Sequence, residues 1–176
     1  MNSKSPMPIY FRGTKEGKTM ESITYCEPGR LFCSAKRIML AVDGSEGAAR
    51  ATRVAIEIAE ITNSKLFIVH VVPTPTVKQM ALMTDMSEEE VLAKYVRNGE
   101  TLLKGYKDAA LEYNLEVETI LEKSKPSEGI LSVAKGRNVD LIVIGSTGTA
   151  GGRRAGMGSN TERIVMNAEC PVIVVK

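Results

Sequence analysis

The chain has no tryptophan, one histidine, three cysteines and a net charge of only +2 across 176 residues. Each shortage closes off a class of protein. Cys26, Cys33 and Cys170 form no C-x-x-C pair, and His70 alone cannot complete a metal site with them. An odd, sparse cysteine set also argues against a disulfide framework and for a reducing compartment. No apolar run approaches the ~20 residues of a membrane span, and no N-terminal stretch reaches signal-peptide length, so the expected location is cytoplasmic, with no membrane partner. Charge is short as well. Residues 1–36 carry six Lys or Arg against three Glu, which leaves 17 basic and 18 acidic residues in 37–176. A neutral body lacks the basic footprint that nucleic acid requires.

What is present is ordinary for a soluble globular protein, with 43% hydrophobic and 25% charged residues. The length suits one domain with an appendage. Residues 1–36, rich in Gly, Ser, Thr, Pro and Lys, read as an N-terminal extension that can form a hairpin around TKEG or stay disordered. From Arg37 the pattern changes. RIMLAV is a nearly continuous apolar run, as in a strand buried on both faces, and DGSEG follows it. Val54, Ile58 and Ile61 then recur at helical spacing beside Ala51, Ala55 and Ala59, with Asn63 as a stop. KLFIVHVV is a second buried strand, closed by PTPT.

Ser87-Glu88-Glu89-Glu90 reads as a capping box opening a helix to Asn114. Val91, Tyr95, Leu102, Tyr106, Ala109 and Tyr113 mark its inner face, and Glu90–Lys94 and Glu100–Lys104 support its outer one. EVETILEK alternates as a third strand, and Pro126 and Gly136 bound the next helix. VDLIVIG is the fourth strand, residues from Ser159 to Ala168 form a helix, and CPVIVVK is the fifth strand. Strands alternating with helices imply parallel pairing with right-handed crossovers. The expected fold is α/β, a five-stranded parallel doubly wound (Rossmann-like) open sheet with helices on both faces, over 37–176.

Residues 145–161, GSTGTAGGRRAGMGSNT, gather six of the fifteen glycines between the fourth strand and the last helix. Ligands of such sheets lodge beyond the carboxyl ends of the strands where the winding reverses. Glycines let backbone N–H groups converge, and a helix N-terminus adds roughly half a positive charge, so loop and helix together suit an anion, above all phosphate.

Gly145, Gly148, Gly158 and Ser159 give G-x2-G-x9-G-S directly after a buried strand. With VDGSE, VHVV, DLIVIGSTG, GSNTERIV and CPVIVVK, this pattern resembles the universal stress protein family, in its ATP-binding branch, over residues 37–176. The resemblance implies a single bound ATP, with Mg or Mn as an accompanying ion. It implies that Ala41, Asp43 and Val71 hold the adenine and ribose end. The phosphates would lie against Gly145, Ser146, Thr147, Gly148, Gly158, Ser159, Asn160 and Thr161. It also implies a homodimer, in keeping with an apolar edge at Val172, Ile173, Val174 and Val175 that invites pairing. The sequence departs from the family in the loop TAGGRRAGM, which has few large apolar residues, and at Asn160, where a small or apolar residue is common.

Several of these residues also have plainer readings. Asp43 suits ribose contact, ion binding or helix capping, and Ser159-Asn160-Thr161-Glu162 is itself a capping box. Arg153 and Arg154 suit phosphate or simple exposure. His70 and Cys170 suit packing. Met80, Met83 and Met86 suit either an adenine cover or flexible packing. GTKEGKT, residues 13–19, is one residue short of a P-loop and lacks its buried strand.

The expected function is ATP binding as a structural or regulatory ligand, with slow hydrolysis at most and no catalytic residues assigned. An adenylate-forming or ATP-hydrolysing enzyme is the alternative. Its H-x-G-H signature is impossible with one histidine, and VDGSEG is not its S-G-G-x-D loop. A nucleotide-free interaction protein is the third reading, disfavoured by the intact glycine pattern.

Overall fold

The computed structural model describes residues 35–149 and 156–176. The hairpin reading of the N-terminal extension, the near-P-loop at 13–19, Cys26, Cys33, Arg153 and Arg154 lie outside the described residues. In chain order the elements are β1 (Arg37–Ala41), α1 (Glu46–Thr62), β2 (Lys65–Pro73), α2 (Thr74–Met83), α3 (Glu88–Leu111), β3 (Val117–Ser124), α4 (Pro126–Gly136), β4 (Leu141–Gly145), α5 (Ser159–Asn167) and β5 (Val172–Val175). The five strands form one parallel sheet in the order β3-β2-β1-β4-β5.

The continuous apolar runs are the strands covered on both faces. Ile38, Leu40, Leu66, Ile68, Leu141 and Val143 turn to a layer built by α1 and α3. Met39, Phe67, Val69, Ile142 and Ile144 turn to the opposite layer, with Ile130 of α4 and Ile164 of α5. This alternation is what a strand's two-residue period produces.

Local chemistry sets the helix ends. Ser45 caps α1 by accepting the Ala48 N–H, and Asn63 ends it in the left-handed conformation, with φ of 49°. The capping box of α3 forms as the sequence implies: Ser87 Oγ accepts the Glu90 N–H, and Glu90 accepts the Ser87 N–H at 2.9 Å. Pro126 opens α4, where its missing N–H costs no helical bond.

Three expectations need correction. The buried face of α1 is the alanine stripe with Ile56, while Ile61 is 75% exposed, because close seating of the helix on the sheet selects small side chains. The inner face of α3 ends on Leu103 and Ala110, whereas Ala109 is exposed and Tyr113 is half-exposed. Among the described residues the ion pairs include neither Glu90–Lys94 nor Glu100–Lys104; the Glu90 carboxylate is committed to its own cap.

The sequence reading also lacked α2. PTPT closes β2 as expected but opens a helix as well, since a proline in the first turn is compatible with both. Val77 of α2 and Val91 of α3 share a small separate core with Val72, and Met86 packs against it. Met80 and Met83 stay exposed. His70 packs as expected: its Nδ1 lies 2.8 Å from the Val42 carbonyl, and Gly99 of α3 leaves room for its ring. Cys170 is half-buried beside Ile142, and burial pushes its thiol upward.

Candidate functional site

The winding reverses at β1. From it the chain moves outward to β2 and β3, then returns to β4 on the other side. The loops after β1 and β4 therefore part at the carboxyl edge of the sheet, the place where ligands of open α/β sheets lodge.

The turn after β1 is Asp43-Gly44-Ser45. Gly44 has φ of 82°, which a side chain would strain. Asp43 Oδ1 accepts the Ser45 N–H at 3.0 Å, and Asp43 Oδ2 accepts the Thr149 N–H at 2.9 Å. Ser45 Oγ donates to the Thr147 carbonyl at 3.4 Å while capping α1. Two side chains of the first turn thus hold the loop after β4.

The glycines make this approach possible. A Cβ on Gly145 would lie 2.6 Å from the Gly47 carbonyl carbon, and one on Gly47 would lie 2.5 Å from the Thr147 oxygen. The first turn of α1 is seated directly on the end of β4, backbone to backbone. A Cβ on Gly148 would meet Asp43 Oδ2 at 2.5 Å. Gly145 and Gly148 are therefore needed for close contact within the fold, a use of glycine distinct from the anion cradle that the sequence suggests.

The far wall is the start of α5. Its N-cap is Gly158, without a side-chain cap bond, so the capping box expected at Ser159 does not form and Ser159 is the first helical residue. The displacement has a cause. Gly158 N–H donates to the Ser146 carbonyl at 2.8 Å, and Ser146 N–H donates to Val175 at 2.7 Å, which ties the helix start to β4 and β5. Thr161 is buried, and its hydroxyl donates to the Gly145 carbonyl at 3.0 Å. These bonds leave the N–H groups of Thr147, Gly148, Ser159 and Asn160 without partners among the described residues. The last two are the positive end of a nine-residue helix.

Ala41 ends β1, opposite Val69 and Ile144. Val71 lies within β2 and pairs with Glu122. Val69 gives its carbonyl to Val42, so its polar groups face β1. Val71, two residues on, points its own N–H and C=O the same way, beyond the end of β1.

Ala41, Asp43, Val71 and the loop residues thus share one edge of the sheet. Thr161 is an internal tie, and Ser159 and Asn160 are exposed. Sequence reasoning missed Gly47 and Thr149. Only Gly47 left a signal, since glycine is a poor helix former placed here in a first helical turn. Tyr106 of α3 adds a neighbour: burial raises its phenol, and the nearby charge of Asp43 raises it further. Among the described residues no group of three His, Cys, Asp or Glu converges to hold a metal.

A family model described as the universal stress protein family matches residues 34–176. The chain belongs to this family. Its universal stress protein relative MJ0531 of Methanocaldococcus jannaschii is 32% identical over 147 residues, which cover 80% of this chain and 82% of that one. The solved structure of universal stress protein UspA from Lactobacillus plantarum superposes with a TM-score of 0.71 at 26% identity, covering 81% of this chain and 98% of UspA. The universal stress protein from Archaeoglobus fulgidus, solved in complex with dAMP, shares the fold with a TM-score of 0.60 at 24% identity, over 80% of this chain and 98% of that one. No helix among the described residues is long and apolar enough to cross a membrane.

Proposed function

We propose that this chain binds a nucleotide, ATP in preference, at the carboxyl edge of β1 and β4, and uses it as a structural or regulatory ligand. The observation that carries the reading is the uncapped start of α5 facing a loop already drawn to the first turn by Asp43 and Ser45. Such N–H groups favour phosphate oxygens. Adenine and ribose lie against the backbone of Ala41, Asp43 and Val71. The phosphates lie against Thr147, Gly148, Ser159 and Asn160, with Gly145, Ser146, Gly158 and Thr161 shaping the loop behind them. The Archaeoglobus relative, which holds dAMP, supports a nucleotide of this class. A Mg or Mn ion accompanying the nucleotide would be carried by the phosphates.

On this reading the ligand is held and not consumed, with slow hydrolysis at most. Equilibrium dialysis with labelled ATP tests binding, and retention of no nucleotide would end the proposal. A steady-state rate of several turnovers per second would replace it with an enzyme. The same reading includes a homodimer formed by antiparallel pairing of β5, at Val172–Val175, with a second copy. The support is that β5 is the outermost strand beside β4.

A further inference from the structure

We propose that Asp43 serves as a positioning residue: its carboxylate is the latch that holds the glycine loop in its anion-accepting form before any ligand arrives. The inference rests on the nucleotide reading above but assigns the side chain a different task from ribose or metal contact.

Three independent features converge on it. Asp43 spans the switch point, with one oxygen on the Ser45 N–H of its own turn and the other on the Thr149 N–H of the loop 106 residues later. A carboxylate can accept at both oxygens, whereas the matching amide can accept at only one. Second, Gly148 has no left-handed φ, so the backbone conformation does not demand glycine there. What demands it is space, since the missing Cβ would lie 2.5 Å from Asp43 Oδ2, and among the described residues the only other neighbour within 4 Å is the carbon of the same carboxylate. The loop's second glycine is thus a seat for the latch. Third, Ser45 Oγ donates to the Thr147 carbonyl, so the turn grips the loop at Thr147 and Thr149, on either side of Gly148. With both flanking residues held, the Thr147 and Gly148 N–H groups keep a fixed direction.

The latch acts on the phosphate half of the site and not on the nucleoside half. That difference is measurable on the full chain. Asp43→Asn keeps size and one acceptor but loses the second. Gly148→Ala keeps the carboxylate and pushes it off its seat. In nucleotide-free protein, either change should speed hydrogen exchange at the Thr149 amide by about tenfold or more, the effect of losing one charge-assisted bond. Titration should then show ATP binding weakened by about tenfold or more, and adenosine binding changed by less than about threefold.

Unchanged Thr149 exchange in both variants overturns the latch. So does an equal loss for ATP and adenosine, which would make the carboxylate a direct nucleoside ligand. If the unaltered chain binds neither compound, the nucleotide reading fails by itself, and the exchange measurement still decides whether the latch exists. Should Asp43→Asn not fold, Gly148→Ala gives the same two readouts.

Discussion

A single added methyl group separates two kinds of glycine in this chain. At Gly145 it would stand 2.6 Å from the backbone of Gly47, where neither partner can rotate away. Gly145→Ala should therefore destabilise the fold by about 3 kcal/mol or more, the upper range of overpacking, in a urea unfolding series. Gly105, inside α3, has nothing among the described residues within 4 Å of its missing Cβ. Gly105→Ala should stabilise by about 0.5–1 kcal/mol in the same series, because alanine loses less entropy in a helix. If both changes were neutral, the close seating of α1 on β4 would be wrong. Thr161 offers a second check on this junction. Thr161→Val keeps the shape and removes the hydroxyl that holds the Gly145 carbonyl, at an expected cost of about 1–3 kcal/mol.

The capping box of α3 belongs to helix chemistry, and Ser87→Ala should cost about 1 kcal/mol by chemical denaturation. The edge strand is tested through its backbone. Val175 gives its carbonyl to Ser146, and the Pro171 carbonyl accepts from Ile142, so the odd-numbered residues of β5 face β4. Val172 and Val174 accordingly direct their N–H groups outward. Val174→Pro removes an outward donor and leaves the β4 ladder intact. On the proposed β5 pairing, sedimentation should find a dimer for the unaltered chain and a monomer for Val174→Pro, and a dimer persisting in the variant would place the interface elsewhere.

Strands were legible because burial on both faces leaves a continuous apolar run, as in RIMLAV and VDLIVIG. Helix α2 was not, since its one buried residue, Val77, makes no periodic pattern. The last turn of α3 was misread for a related reason: Ala109 and Ala110 carry the same side chain, and only the neighbours decide which one turns inward. The glycine loop announced a special backbone, yet the partners of Gly145 and Gly148, which are Gly47 and Asp43, lie about a hundred residues away and have no local signature. The cap of α5 falls on Gly158 and not on Ser159, where the Gly158 N–H is tied to Ser146 on the other side of the loop.

Acid response is shared by several carboxylates far from the site. Burial works to raise Asp140, but the N–H groups of Lys36 and Arg37 and the Arg37 guanidinium outweigh it, and the group is held low. Glu118 is held low by Lys65 first, with Arg137 adding to it. Glu90 is held low by the Ser87 N–H and hydroxyl of its cap. A depressed native pKa means that the unfolded chain takes up protons first as acid is added. The stability these groups contribute is complete above the ordinary carboxylate range near about 4, and is lost as pH falls through the lower native values. Unfolding free energy should thus decline below about pH 4.5, and Asp140→Asn should flatten that decline; an unchanged slope would remove Asp140 from the account.

The span between Asp43 and Thr149 also bears on synthesis. A nascent chain can pair β1, β2 and β3 while the rest is still being translated, but the cleft lacks its phosphate side until the loop after β4 has left the ribosome. The final strand must then dock before Ser146 finds Val175. Chains released before that point would present no finished pocket, so ligand capture would report that β4, its loop and β5 had all been made.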